Sequence, residues 1–279
     1  MLSFETQGLG RVFGYGHQKT VAVKGADLKI EAGKIYSIVG ESGSGKTTMA
    51  KMLLGLLKPS YGTLLFQEKP IILNHHRDRV AFWTHVQAVF QDPFSSFNQF
   101  YKVQDLLINC LRMKHGRRDS ASEKARMAEA CGYVNLDLNE LWDKHPFELS
   151  GGQMQRLMIA RIFLIKPKIL IADEPTSMID ACSRSGILDM LLKLKNDNDM
   201  TIIFITHDIG LAYYVSDYLY IMQHGEIVEE GDARTVIAEP KASYTQQLLL
   251  DVPAIHRPWL EMASMEHEKL TGPVICQQD

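Results

Sequence analysis

The feature that most restricts the fold is a glycine-rich run at residues 40–47, which separates a strand-like segment from a helix-like one. Residues 35–39 are largely apolar with three β-branched positions, and residues 48–54 have helical composition. The run fits the GxxxxGK[ST] spacing, in which glycines aim backbone amides inward, the lysine meets phosphate oxygens and the hydroxyl meets Mg²⁺. Such a loop places phosphates over a helix N-terminus, which favours anions. The sequence therefore predicts a nucleotide site on an α/β sheet.

Two acidic residues end a second strand-like run. Residues 168–172 read as a buried parallel strand, and Asp173 and Glu174 follow it directly. Polar groups at the carboxyl ends of parallel strands collect at one edge of the sheet. Asp173 is therefore predicted to hold Mg²⁺ through water, and Glu174 to polarise the water that attacks the γ-phosphate.

A third strand-like run, residues 201–206, ends at His207. A histidine at a strand end is often structural. At the same carboxyl edge as Glu174, however, His207 is placed to hydrogen-bond the γ-phosphate and the attacking water. We therefore include it among the candidate catalytic residues.

The sequence resembles the nucleotide-binding subunits of ATP-binding cassette (ABC) transporters over residues 10–250. Six elements carry the resemblance in the family's order: the phosphate loop at 40–47, Gln91, the Leu-Ser-Gly-Gly-Gln signature at 149–153, the Asp173 and Glu174 pair, Ser-Met-Ile-Asp at 177–180, and His207. The resemblance implies an α/β P-loop NTPase cassette with a RecA-like core, an antiparallel β subdomain and a helical insertion subdomain. It also implies an ATPase that uses ATP and Mg²⁺.

The resemblance assigns roles to individual positions. The expected catalytic residues are Glu174, His207, Gln91 and Lys46, and the expected magnesium ligands are Thr47, Gln91 and Asp173. The expected ATP contacts are Gly40, Glu41, Ser42, Gly43, Ser44, Gly45, Lys46, Thr47, Thr48, Ser150, Gly151, Gly152, Gln153 and Asp180. An aromatic residue before the phosphate loop stacks on adenine in this family, and Phe13 and Tyr15 both qualify.

The signature also predicts a dimer. By resemblance, Ser150, Gly151 and Gly152 clasp the γ-phosphate bound by the opposite subunit, and Asp180 crosses the interface. A Ser-Gly-Gly turn that opens a helix offers a hydroxyl and free amides to an anion, but it can hardly wrap the nucleotide of its own phosphate loop. Two cassettes are therefore expected to meet head to tail around ATP.

The chain is predicted to divide into a cassette at residues 1–250 and a loosely ordered polar tail at residues 251–279. A β-rich start covers residues 2–39, and a helical insertion covers residues 95–148. A strand run at 218–222 and a turn at 223–226 predict a closing hairpin.

Two stretches are similar to the oligopeptide, dipeptide and nickel importer subfamily. Residues 89–98 are similar to its Phe-Gln-Asp-Pro-x-x-Ser-Leu-Asn-Pro pattern, with Gln99 where that pattern ends in proline. Residues 240–249 resemble its Pro-Tyr-Thr tail, with Ser243 in place of proline. By resemblance, the insertion and nearby aromatics form the groove that receives a permease helix. The aromatics expected to be exposed there are Phe94, Phe97, Phe100 and Tyr101.

The composition of the chain limits the kinds of partner that it is expected to bind. A net charge of −3 argues against a nucleic-acid surface. The four cysteines have no CxxC or metal-ligand spacing, which favours free thiols in a reducing cytosol. No apolar stretch approaches the roughly 20 residues needed to span a bilayer, and the first residues lack the pattern of a secretory signal. Membrane association is therefore expected to come through a separate permease.

The predicted function is the ATPase subunit of an importer for peptides or a similar small solute, such as a metal chelate or an oligosaccharide. Its expected partners are transmembrane permease subunits, a second ABC ATPase subunit and, indirectly, an external solute-binding protein. A heterodimer is favoured over a homodimer, and the expected location is the cytoplasmic face of the inner membrane. The alternative is a soluble single-cassette ATPase in cofactor assembly or another process without transport. A P-loop kinase is disfavoured because the signature would then have no purpose.

Overall fold

The computed structural model describes residues 2–16, 18–116, 119–177 and 181–251. The strands are β1 (Leu2–Phe13), β2 (Thr20–Glu31), β3 (Ile35–Val39), β4 (Tyr61–Phe66), β5 (Lys69–Pro70), β6 (Val86–Val89), β7 (Ile169–Asp173), β8 (Thr201–Thr206), β9 (Tyr218–Gln223) and β10 (Glu226–Asp232). The helices are α1 (Lys46–Leu53), α2 (His76–Trp83), α3 (Val103–His115), α4 (Ser120–Tyr133), α5 (Leu138–Leu141), α6 (Gly151–Ile165), α7 (Ala181–Asn198), α8 (Ile209–Val215), α9 (Ala233–Ala238) and α10 (Ser243–Leu250).

The larger sheet carries the predicted nucleotide strands. Its order is β10-β9-β3-β8-β7-β6, and the strands from β9 to β6 run parallel. Every residue of β3, β7 and β8 is buried. Layers cover both faces of this sheet, so these strands are apolar along most of their length rather than alternating. The strand predictions at residues 35–39 and 201–206 are confirmed, as is the closing hairpin, which β9 and β10 form as an antiparallel pair.

A smaller antiparallel sheet, with the order β2-β1-β4-β5, contributes to the layer on one side. Phe4 and Leu28 from this sheet share a core with Ile38 of β3 and Met49 of α1. This packing places α1 and the phosphate loop between the two sheets. The antiparallel β subdomain expected from the family resemblance is therefore present.

Helices cover the opposite side of the parallel sheet. Leu107 of α3 and Met127 of α4 share a core with Leu157 of α6 and with Ala172 and Phe204 of the sheet. Helix α4 is capped at its N-terminus by Asp119, whose carboxylate accepts a hydrogen bond from the Ser122 amide at 2.9 Å. A 3-10 turn, Pro146–Glu148, then leads into the signature.

The C-terminal part of the described chain returns to the sheet. Helices α9 and α10 pack with α8 in a small core that includes Val39, the last residue of β3. The predicted tail lies almost entirely outside the described residues, which end at Asp251. None of the helices within the described ranges combines the length and apolar character needed to cross a membrane.

Candidate active site

Four neighbouring strands bring the predicted catalytic groups to one edge of the parallel sheet. In sheet order, β3 leads into the phosphate loop, β8 ends before His207, β7 ends at Asp173, and β6 ends before Gln91. Because the four strands are parallel, their carboxyl ends lie at the same edge. The fold therefore gathers these residues although they lie far apart in the sequence.

The phosphate loop is shaped by contacts that leave no room for side chains at two of its glycines. A Cβ atom at Gly40 would clash with the carbonyl oxygen of Met222 in β9. A Cβ atom at Gly45 would clash with the carbonyl oxygen of Ala22 in β2, and Gly45 also has φ of 106°, a left-handed value that favours glycine. Both glycines are thus required by the packing of the loop against β2 and β9.

Lys46 is folded back onto its own loop. Its Nζ donates to the carbonyl oxygens of Gly40 at 2.6 Å and Glu41 at 2.7 Å, and the residue is buried. Burial lowers the pKa of Lys46, against the opposing effects of the Glu174, Asp173 and Glu41 carboxylates. The cation is therefore held where phosphate oxygens would approach.

Asp173 and Thr47 meet at the expected magnesium position. The carboxylate of Asp173 is buried and accepts a hydrogen bond from the Thr47 hydroxyl. Burial raises the pKa of Asp173, and Glu174 raises it further, while Thr47 and Lys46 lower it. A carboxylate beside a hydroxyl is an oxygen donor set that suits a hard cation such as Mg²⁺. In the described ranges no three His, Cys, Asp or Glu side chains form a metal site by themselves, so phosphate and water would supply the other ligands.

Glu174 and His207 form a contact across two strands. Nδ1 of His207 lies 3.1 Å from Oε1 of Glu174. The backbone of Glu174 has φ of 47°, and its amide donates to the carbonyl oxygen of Ile205 in β8 at 2.9 Å. The carboxylate therefore sits on a constrained turn and faces the histidine, which is an arrangement suited to orient and deprotonate a water molecule.

The signature forms the N-terminus of α6. The Ser150 hydroxyl accepts from the Gln153 amide at 3.2 Å, and the Gln153 side chain accepts from the Ser150 amide at 3.0 Å, which is a capping box. Among the described residues, a Cβ atom at Gly151 would meet nothing within 4 Å. Packing within the described part of the chain therefore does not require glycine at this position.

The remaining candidates are exposed or lie outside the described residues. Gln91 is exposed after β6, and Phe13 and Tyr15 are exposed at the end of β1, where the Arg11 guanidinium lies 4.7 Å from the Phe13 ring centroid. Asp180, with the neighbouring Met178 and Ile179, falls outside the described residues.

The prediction that the aromatic segment is exposed was wrong in part. Phe97 was expected to be exposed, but it is only 8% exposed, and its ring centroid lies 5.6 Å from the Arg161 guanidinium. Arg161 also donates to the carbonyl oxygen of Ala88 in β6, so it joins α6 to β6 and covers the ring. Phe94 was also expected to be exposed, but it is partly buried against the helical core, whereas Phe100 and Tyr101 are exposed as predicted.

Two polar side chains near the site were not assigned roles from the sequence. Gln155 is 2% exposed on α6 and donates to the carbonyl oxygen of Pro175 at 2.6 Å, directly after Glu174. Tyr244 contacts Glu41 of the phosphate loop. The sequence signal for Gln155 is a polar residue at an inward position of an apolar helix. Tyr244 lies in the stretch that resembles the Pro-Tyr-Thr tail, but that pattern does not relate it to the phosphate loop.

Comparison with known proteins agrees with this geometry. The sequence profile of the ABC transporter family matches residues 23–177. The chain belongs to the ABC transporter family. It is an ATPase of that family, and the α/β cassette fold and ATP-binding character predicted from the sequence are confirmed.

Several ATP-binding proteins of peptide transport are similar to this chain. It is 35% identical over 235 residues to the oligopeptide transport ATP-binding protein OppF of Lactococcus lactis, covering 84% of this chain and 73% of that protein. It is 36% identical over 258 residues to the oligopeptide transport ATP-binding protein AmiF of Streptococcus pneumoniae, covering 92% and 83%. It is 35% identical over 251 residues to the probable D,D-dipeptide transport ATP-binding protein DdpF of Escherichia coli, covering 90% and 77%.

Solved ABC structures share the fold. The structure of CbiO1 from Clostridium perfringens, part of the transporter complex CbiONQ, superposes with a TM-score of 0.72 at 28% identity, covering 92% of this chain and 98% of that one. The dimeric cassette MJ0796 in a post-hydrolysis state, bound to ADP and phosphate, gives a TM-score of 0.74 at 26% identity, covering 82% and 98%.

Proposed function

We propose that this chain is the ATPase subunit of an importer for peptides or a chemically similar small solute. The observation that carries the proposal is about one-third identity, over most of the chain, to relatives whose names specify oligopeptide or dipeptide transport. The similar small solutes that we include are metal chelates and oligosaccharides. The chain would act at the cytoplasmic face of the inner membrane, bound to permease subunits that receive solute from an external binding protein.

The proposed hydrolysis rests on the contact between Glu174 and His207. Glu174 accepts a proton from the attacking water, and His207 holds the carboxylate and the γ-phosphate in line with that water. Lys46 exchanges its bonds to the loop carbonyls for bonds to β- and γ-phosphate oxygens. Gln91, which follows the neighbouring strand β6, would contact the metal and the γ-phosphate.

Thr47 and Asp173 fit the magnesium position, because their hydroxyl and carboxylate already lie within hydrogen-bond distance of each other. Mg²⁺ bound there would neutralise charge on the phosphates as the bond to the γ-phosphate breaks. Asp173 would hold the cation with a carboxylate that is shielded from solvent. Thr48 and the loop residues from Gly40 to Gly45 supply the surrounding amides.

A second cassette completes the proposed site. Ser150, Gly151 and Gly152 clasp the nucleotide bound by the opposite subunit, and Gln153 and Asp180 lie at the same interface. Among the described residues, a Cβ atom at Gly151 would have open space around it. This space supports the role, because it would let another molecule approach the backbone closely. We favour a heterodimer of two related cassettes.

Phe13 or Tyr15 stacks on the adenine ring of the nucleotide bound by this chain's own phosphate loop.

Permease docking is proposed for the exposed aromatic segment beside α3. Phe100 is 89% exposed and Tyr101 is half-exposed, and they precede Lys102, which forms an ion pair with Asp143 at 2.7 Å. Phe147, also exposed, lies a few residues beyond Asp143 and just before the signature. An amphipathic permease helix would bury these rings in a helix-in-groove contact. Arg161 lies on the signature helix α6 and contacts both Phe97 and β6. It would therefore transmit movement of the aromatic segment to α6.

The test is affinity purification from detergent-solubilised membranes in the presence of ATP, with a Glu174→Gln variant. This variant should retain ATP and hold the closed assembly because the proton acceptor is lost. The matched control is Glu174→Gln combined with Lys46→Ala, which should bind ATP weakly and release the second cassette. Recovery of permease subunits with a second cassette supports the importer. Recovery of soluble partners alone would overturn it in favour of an assembly ATPase.

A further inference from the structure

Helix α10 reaches the phosphate loop through one side chain. Tyr244 is 5% exposed and packs in the small core that contains Val39, the residue before Gly40. Its hydroxyl oxygen accepts a hydrogen bond from the backbone amide of Glu41 at 2.9 Å. The contact joins the C-terminal end of the described chain to the second residue of the phosphate loop.

The peptide that Tyr244 holds also carries the acceptor for the loop lysine. The amide of Glu41 and the carbonyl of Gly40 belong to one planar peptide group. That carbonyl accepts from Nζ of Lys46 at 2.6 Å, while the amide donates to Tyr244 on the opposite side. Rotation of this one plane would therefore move the lysine acceptor and release the tyrosine together.

Helix α10 is itself fixed to the β9–β10 hairpin. The Glu229 carboxylate in β10 accepts from the amide of Lys241 at 2.8 Å and from the amide of Ala242 at 3.1 Å, just before α10 begins. The turn of the same hairpin contacts the phosphate loop, because the amide of Gly225 donates to the carbonyl oxygen of Ser44 at 2.9 Å. The loop is thus braced by the hairpin turn at Ser44 and by α10 at Glu41.

We propose that Tyr244 is a positioning residue for nucleotide binding. Its hydroxyl holds the Gly40–Glu41 peptide in the orientation that keeps Lys46 and the loop amides aimed at the phosphates. The C-terminal helix α10 is therefore part of the nucleotide-binding machinery. The inference rests on ATP binding at the phosphate loop and is independent of the transported solute.

The test compares two tyrosine-to-phenylalanine variants of the full chain. Tyr244→Phe removes only the hydroxyl that accepts from Glu41. Tyr36→Phe is the matched control, because the buried Tyr36 side chain likewise accepts from a backbone amide, that of Glu31 at 3.0 Å, but lies in a different core, near the amino end of β3 and away from the phosphate loop. Both variants lose one acceptor for a backbone amide, so both should lose similar thermal stability.

Only Tyr244→Phe should weaken nucleotide binding. We expect its KM for ATP, and its Kd for Mg-ATP measured in a Glu174→Gln background, to rise about tenfold, the effect of roughly one lost hydrogen bond. Its kcat at saturating ATP should stay near the wild-type value, since Tyr244 does not contact Glu174 or His207 in the described structure. A general loss of folded protein would instead lower kcat and leave KM unchanged.

Hydrogen exchange provides a second readout that does not depend on activity. Exchange of the Glu41 amide should accelerate in Tyr244→Phe and remain unchanged in Tyr36→Phe. Equal ATP affinity in the two variants, or an unchanged Glu41 exchange rate in Tyr244→Phe, would overturn the proposal.

Discussion

The imidazole of His207 lies 3.1 Å from the carboxylate of Glu174, and both residues are tied to the same strand. His207 follows β8 in sequence, and Glu174 is bound to β8 through its amide contact with Ile205. The pair is therefore fixed relative to one strand rather than to two independent loops. A group that must receive a proton from a positioned water benefits from such rigidity.

Removing either member of this pair should affect hydrolysis more than binding. We expect His207→Ala and Glu174→Gln each to lower kcat by about 100-fold or more, the contribution typical of a positioned base. The double variant should be little worse than the slower single one, because the two side chains act as a unit. A phosphate-release assay measures kcat, and an ATP-binding assay measures the affinity for ATP. The exposed His76→Ala is the control, and additive losses in the double variant would contradict the pairing.

The left-handed backbone of Glu174 should cost stability. A residue with a Cβ atom at φ of 47° is about 1 kcal/mol less favourable than one in the right-handed region, and glycine avoids that cost. We therefore expect Glu174→Gly to have a higher free energy of unfolding than Glu174→Ala by about this amount. Both variants lack the carboxylate, so the comparison isolates the backbone. Denaturant unfolding measures the difference, and equal stability would show that the turn is unstrained.

Asp173 should make stability depend on pH. Its folded-state pKa is raised by burial, so the ionised form costs stability above that pKa, and the cost disappears as the pH falls through it. We expect Asp173→Asn to raise the melting temperature of the nucleotide-free protein at neutral pH, because the variant has no buried ionised carboxylate at this position. The advantage should shrink in acid. The same variant should lose the stabilisation that Mg²⁺ adds to ATP.

A thermal shift series from neutral to acidic pH tests the dependence of the stability gain on pH. The same series with and without Mg-ATP tests the loss of stabilisation by Mg²⁺. Asp105→Asn is a control carboxylate in the first turn of α3. An advantage of Asp173→Asn that persists unchanged in acid would contradict the role of ionisation.

Gln155 should couple the stability of α6 to the turn after β7. Replacing it with leucine leaves the buried carbonyl of Pro175 without this donor, which costs about 1–3 kcal/mol. Because Pro175 follows Glu174 directly, kcat should fall as well. Met154→Leu, an apolar exchange at the neighbouring buried position, should change the free energy of unfolding by less than about 1.5 kcal/mol. Equal stability of the two variants would show that the hydrogen bond contributes little.

The parts that sequence predicted well are local. The phosphate loop, the apolar strands and the capped signature helix each depend on residues within a few positions of one another. Their order along the chain, together with the rule that parallel strands end at one edge, was enough to bring Glu174 and His207 together. Free thiols were also predicted, and the described Cys110 and Cys131 are free.

The parts that sequence missed depend on distant contacts. Phe97 belongs to an aromatic run of the kind that lines docking grooves. Its ring is covered by Arg161 of α6, a helix that lies much further along the chain. Tyr244 and Glu41 are separated by 203 positions, so no spacing pattern relates them. Such pairs are set by how elements pack, and periodicity describes only the elements themselves.

The self-contact of Lys46 has a thermodynamic consequence. Its ammonium group already bonds the Gly40 and Glu41 carbonyl oxygens, so an arriving triphosphate replaces existing bonds rather than satisfying a bare cation. The enthalpy released on binding is then a difference between two bonded states and should be small for a single phosphate group. Only a ligand that also engages the loop amides gains enough to complete the exchange. We therefore expect the loop to bind the whole nucleotide in preference to inorganic phosphate.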